Sequence, residues 1–278
     1  MAMRLLNAGR LTSVWNRTRA RTASLVEQGA ISAEMPANAV RGVDIVALCL
    51  TDGEAVEDVV FGPRGFIDAV DRAAPPLILD FSTSSPQSAQ HLAGRYAGAA
   101  DGAWVDAPVS GGVERARQGA LIAYCGGSAV AFAEASPILG IVASRATLLG
   151  PVGSGQAAKL IAQIIAAPTL VAIAEALATA EALGLDATRL IDTYSGGLID
   201  SPLLQIFGRR MATGCVDPPI GAVGTMLKDI DNALRMAQSA GKSPPLATAA
   251  AHILRRVSTS RGATQELTAL LDYIRASD

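Results

Sequence analysis

Apolar positions in the first half of the chain fall in short runs, each closed by small or hydroxyl-bearing residues and followed by helical spacing. Ile45-Val46-Ala47-Leu48-Cys49-Leu50 is an unbroken apolar run, the form expected of a parallel strand covered on both faces. It ends in Thr51-Asp52-Gly53, with a helix predicted over 54–60. Leu77-Ile78-Leu79-Asp80-Phe81 repeats the scheme, and Ser82-Thr83-Ser84-Ser85-Pro86 after it is a helix start with proline near the first turn. Residues 11–15, 104–108, 121–125 and 146–149 read as further strands, and 19–28 as a short helix stopped by Gly29.

Beyond Gly155 the strand pattern disappears. Residues 157–183, 187–194, 202–212, 225–240, 246–257 and 263–276 all carry helical spacing, punctuated by Gly or Pro. The chain therefore predicts an α/β parallel-sheet domain over 1–151 followed by an all-α domain over 152–278. The most apolar run, 160–174, is interrupted by Gln163 and Pro168. It reads as a buried helix kinked near the proline and too short to span a bilayer.

Composition narrows the function classes. The 278 residues suffice for two cores, and half are apolar but only 4% aromatic, so Ala, Val, Leu and Ile must build them. A net charge of −2 offers no field for nucleic acid and no basic face for a membrane. Cys49, Cys125 and Cys215 lie far apart in apolar surroundings, as reduced, packed thiols of a cytoplasmic protein would. With only His91 and His252, widely separated, neither a metal site nor a His-based triad is expected. The N-terminus reads as helix from its first residue, with no signal peptide.

One stretch concentrates the candidate chemistry. In Gly150-Pro151-Val152-Gly153-Ser154-Gly155-Gln156-Ala157-Ala158-Lys159-Leu160-Ile161-Ala162-Gln163, the polar residues Gln156, Lys159 and Gln163 share one helix face. A helix-face lysine is ordinarily a solvated charge, so Lys159 gains meaning only from other motifs. An open α/β sheet binds ligands at the carboxyl ends of its strands. Here those ends carry Asn16-Arg17-Thr18, Leu50-Thr51 and Ser82-Thr83. The Arg17 fork matches the oxygens of an adenosine 2′-phosphate, and the acidic residue that would favour NAD is absent from that turn. No Gly-x-Gly-x-x-Gly loop precedes the first helix. Gly153-Ser154-Gly155-Gln156-Ala157-Ala158 imitates one, but no second strand with an acidic residue follows it, and it is rejected as a dinucleotide fingerprint.

With these pieces in place, the chain resembles the β-hydroxyacid dehydrogenase family over almost its full length. Val14-Trp15-Asn16-Arg17-Thr18 is similar to the family's second strand and adenosine-end turn, and Asp80-Phe81-Ser82-Thr83 to its nicotinamide-side turn. Asp106-Ala107-Pro108-Val109-Ser110-Gly111-Gly112 resembles its substrate-binding motif. Gly153 to Lys159 resembles its catalytic motif, and Met226-Leu227-Lys228-Asp229 its cofactor-side lysine. The resemblance implies a Rossmann-type domain followed by an all-α domain, with the active site in the cleft between them. It implies Lys159 as the proton-transfer group, with Ser110, Gly111, Gly112 and Gln163 on a small carboxylate substrate. Asn16, Arg17, Thr18, Leu50, Thr51, Thr83 and Lys228 would contact NADP, with NAD as the other option. The expected reaction interconverts a small 3-hydroxy acid and its semialdehyde, in a homodimer or homotetramer joined through the helical domain.

Two departures qualify the resemblance. Ala162 stands where the family often has Asn, while Gln163 is similar to the tartronate semialdehyde reductase branch. The family's first strand and glycine loop have no counterpart before Met1, which sits where the family commonly has a Met just after that loop. An internal start is the expected cause, and weak dinucleotide binding and lower stability the expected effect. Two other readings remain: an imine reductase-like enzyme, which Lys159 and Ser110-Gly111-Gly112 oppose, and a non-catalytic scaffold of the same fold.

Overall fold

The computed structural model describes residues 1–11 and 13–276, so Thr12 of the predicted 11–15 strand lies outside the described residues. The chain divides into two compact units, Met1–Lys159 and Leu160–Asp278. The first is a Rossmann-like parallel-sheet unit and the second is all helical.

In the first unit, helix α1 (Ala2–Asn7) precedes strand β1 (Ser13–Val14), which pairs in parallel with β2 (Ile31–Ser32). Between them lie a 3-10 turn, Arg19–Thr22, and α2 (Ala23–Val26); Gly29, at φ 99°, then reverses the chain. After α3 (Pro36–Ala39) come β3 (Ile45–Leu48), α4 (Gly53–Phe61), β4 (Leu77–Asp80), α5 (Pro86–Ala100) and β5 (Trp104–Asp106). Strands β3, β4 and β5 form a parallel sheet in that order. The side chains of Asp52 and Ser85 cap α4 and α5 by accepting the Ala55 and Ser88 amides. Beyond β5, β6 (Val109–Ser110) and α6 (Gly112–Gln118) lead to β7 (Leu121–Cys125), α7 (Ala129–Val142) and β8 (Ala143–Leu148). Strand β6 runs antiparallel to β7 and β8 parallel to it, while a bridge between Asp106 and Gly126 ties this sheet to β5.

Strand β4 shows what a doubly covered strand requires. Leu77 and Leu79 enter one apolar cluster with Val105, Cys125 and Leu139, and Ile78 enters the other with Val60, Tyr96 and Trp104. Each fully buried leucine or isoleucine contributes about 1.5–3 kcal/mol. Strand β3 departs from the expectation of two covered faces. Only Leu48 is buried and Ala47 is exposed, and among the described residues β3 pairs with β4 alone.

The second unit is organised on α8 (Ser154–Ala182), which starts in the first unit and carries Leu160, Ala167, Leu170, Ala174 and Leu177 into the helical core. Its partners are α9 (Ala187–Tyr194), α10 (Arg209–Thr213), α11 (Val223–Ser239), α12 (Pro245–Arg261) and α13 (Ala269–Arg275). Two expectations change here. The helix continues for 29 residues through Pro168, long and apolar enough to cross a membrane by length and composition, yet its core-facing residues are buried as in the central helix of a globular unit. The helix expected over 263–276 is confined to α13, because residues before it pair with the chain entering α11: Val223 and Gly224 donate to the Gln265 and Ala263 carbonyls, and Leu267 donates to Gly221. The predicted 202–212 helix contains a π-helical turn, Leu204–Gly208. Of the three free cysteines only Cys125 is buried; Cys49 and Cys215 are exposed, contrary to their apolar sequence surroundings.

Candidate active site

In the first unit, the turns at the carboxyl ends of β3 and β4 are bonded to each other. The Leu50 amide donates to the Ser82 hydroxyl at 2.9 Å, and the Ser82 amide donates to the Asp80 carboxylate at 2.9 Å. Thr83 follows in the same turn, and Thr51 follows Leu50. At the end of β1 the Asn16 carboxamide oxygen accepts the Thr18 amide at 2.9 Å, a side-chain turn that leaves Arg17 exposed between them.

Asp106 ends β5 fully buried, and its two oxygens accept the amides of Gly153 at 2.7 Å and Gln156 at 2.8 Å. These bonds satisfy donors at the start of α8 that helix geometry leaves open. Gly155 is required there: a Cβ would stand 2.2 Å from the Tyr124 carbonyl oxygen. The Gln156 side chain, also fully buried, reaches the β4 turn, accepting the Ser84 amide at 2.9 Å and donating to the Ser82 carbonyl at 2.8 Å. Lys159, one helical turn on, is only 8% exposed, so it is not the solvated surface charge that a helix-face lysine ordinarily is.

Burial moves the carboxylates that frame this region. Asp80 is pushed up to about 7, first by loss of water, against the Ser82 hydrogen bonds, with the Asp106 charge adding to the rise. Asp106 is also raised by burial, held back by the amides it accepts. Ser110 lies on β6 and is followed by Gly111 at φ 132° and Gly112 at φ 71°. A Cβ on Gly112 would meet nothing within 4 Å, so the turn leaves open space beside its backbone.

In the second unit, Gln163 is 8% exposed and donates through Nε2 to Asp229 Oδ2 at 2.9 Å. Lys228, half-buried on α11, places Nζ 3.1 Å from Asp229 Oδ1, an ion-pair distance without hydrogen-bond alignment. The structure thus gathers Leu50, Thr51, Thr83 and the start of α8 in the first unit, and Gln163 with Lys228 in the second. Asp80, Gln156 and Asp229 were not singled out for the site by sequence, although the 156/159/163 spacing and the Lys228-Asp229 pair were visible signals. Among the described residues no three His, Cys, Asp or Glu side chains converge as metal ligands.

Comparison with known proteins decides the family. Residues 1–150 match the model of the NAD-binding domain of 6-phosphogluconate dehydrogenase, and residues 153–274 match the NAD-binding model of NADP-dependent 3-hydroxyisobutyrate dehydrogenase. The chain belongs to the β-hydroxyacid dehydrogenase family. It is 33% identical to 3-hydroxyisobutyrate dehydrogenase of Pseudomonas aeruginosa, over 91% of this chain and 86% of that one. It is 30% identical to 2-hydroxy-3-oxopropionate reductase of Escherichia coli, over 90% and 84%. The crystal structure of 3-hydroxyisobutyrate dehydrogenase from Salmonella typhimurium superposes with a TM-score of 0.88 at 25% identity, covering 98% of this chain and 94% of that one. As a β-hydroxyacid dehydrogenase the protein is an NAD(P)-dependent enzyme.

The donor set fits a nicotinamide dinucleotide at its two ends. Arg17 with the Asn16 and Thr18 side chains offers an exposed cation and polar groups after β1, and the bonded Leu50 and Ser82 turns close the ends of β3 and β4.

Proposed function

We propose that this β-hydroxyacid dehydrogenase interconverts a small 3-hydroxy acid and its semialdehyde, using NADP(H) in preference to NAD(H). The observation that carries the reading is Lys159: a buried amine on α8, one turn beyond a residue hydrogen-bonded to the Ser82–Ser84 turn. Oxidation of the alcohol leaves a hydroxyl proton, which the neutral Lys159 amine accepts; in reduction the ammonium returns it to the carbonyl oxygen. When bound, the nicotinamide accepts or supplies the hydride. Ser110 and the open backbone at Gly111 and Gly112 hold the substrate carboxylate through hydroxyl and N–H donors. Arg17, with no acid in its turn, receives the 2′-phosphate.

Gln163 favours a substrate with a polar group beside the carboxylate, of the kind named for the 2-hydroxy-3-oxopropionate reductase relative. We extend the reading to a cytoplasmic homodimer or homotetramer joined through the helical half, where Ile161 and Ile165 are exposed on α8; gel filtration with light scattering tests the assembly. The functional test is a steady-state assay with NADPH or NADH and a panel of three- and four-carbon semialdehydes. Lys159→Ala is expected to lower kcat by about 10²–10⁴-fold while NADPH binding persists. Retention of full activity by that variant would remove Lys159 from the chemistry, and faster turnover with NADH would reverse the cofactor preference.

A further inference from the structure

The amide of Gln156 is spent on one turn. Its Oε1 accepts the Ser84 N–H and its Nε2 donates to the Ser82 carbonyl, so the two bonds straddle Thr83. A backbone N–H only donates and a carbonyl only accepts, so this network fixes the amide orientation chemically. From behind, the Gln156 N–H is anchored on Asp106. The turn is held on its other side by Leu50 and Asp80. Nothing shorter than glutamine reaches with both groups, and an ionised glutamate has no proton for the Ser82 carbonyl.

Resting on the dehydrogenase reading above, we propose that Gln156 is a positioning residue for proton transfer. Its amide sets the spacing between the Ser82–Ser84 turn and the first turn of α8, and so fixes where Lys159 presents its amine. Rigid geometry of this kind matters because a displacement of about 1 Å at the reacting atoms costs about 100-fold in rate.

Two variants test it in the full-length protein. Gln156→Met keeps the volume and removes both bonds; kcat should fall about 100-fold at every pH, with KM changed less than about 3-fold. Gln156→Glu restores acceptor and donor only when protonated. Its kcat relative to wild type should match the methionine variant at pH 8–9 and recover at least about 10-fold by pH 5–6. The ionisable neighbours Asp80, Asp106 and Lys159 are present in both proteins, so the ratio cancels their own titration to first order. Melting temperature confirms folding, and hydrogen exchange of the Ser84 amide, measured without cofactor, should quicken at least about 10-fold in Gln156→Met. Unchanged kcat in the folded methionine variant overturns the proposal, as does a pH-independent Glu ratio or an unchanged Ser84 exchange rate. A wild-type protein inactive on every semialdehyde overturns the dehydrogenase reading and this role with it; the other failures are told apart from that one by an active wild type.

Discussion

Asp106 and Asp229 are both buried carboxylates bonded to a glutamine, yet they are built on opposite principles. Both Asp106 oxygens accept backbone amides, from Gly153 and Gln156, so its partners have no rotamer freedom. Among the described residues Asp229 is met by side chains: the Gln163 amide on one oxygen and the Lys228 ammonium near the other. The first arrangement joins the end of β5 to the start of α8 and acts as a rivet. The second can be redrawn by rotating two side chains. A buried polar group must be satisfied in either case, but only side-chain partners can be exchanged without moving the backbone.

The contrast breaks most readily at Asp106. Asp106→Asn leaves at least one buried amide without an acceptor and should cost about 2–4 kcal/mol in urea unfolding; a loss below about 1 kcal/mol would show that the rivet is unimportant. Asp80, the strand neighbour of Asp106, sharpens the picture through pH. Its folded value near 7 lies above the ordinary aspartate value of 3.8, so the folded state binds more protons between them. Stability should therefore fall as pH rises from about 4 to about 7 and level off above, by roughly 2 kcal/mol from pH 5 to 7. Asp80→Asn should flatten that slope in melting experiments, and an unaltered slope would place the proton elsewhere. Asp229→Ala should have the smallest effect on stability, about 1 kcal/mol, while raising KM about 10-fold with a smaller change in kcat. Destabilisation as large as that of Asp106→Asn would erase the distinction between the two carboxylates.

Where a single side-chain pattern determines an element, the sequence already contained it. The apolar run of β4 and the Ser85-Pro86 start of α5 are such cases. Strands β2 and β6 have two residues each, too few for any periodicity, and they exist because neighbouring strands pair with them. Residues 263–268 have helical spacing but surrender it to bonds with 221–224, a tertiary effect no local pattern encodes. The site divides in the same way. Lys159 and Gln163 stood out by spacing and by resemblance, whereas Asp229 acquires its role only when α11 brings it to Gln163. Gln156 was visible as a polar residue on the same helix face, but the turn it grips lies more than seventy residues upstream.

The one-sided pairing of β1 and β3 bears on how the protein behaves in a tube. Among the described residues each strand has a partner on one side only, and Ala47 is exposed on β3. A row of unmatched main-chain donors and acceptors is a template for another extended chain, and sheets fuse along such borders. Turbidity and oligomer distribution should therefore rise with concentration, and a peptide able to add as a parallel strand should suppress both. For this chain, colloidal behaviour and sheet completion are two views of the same border.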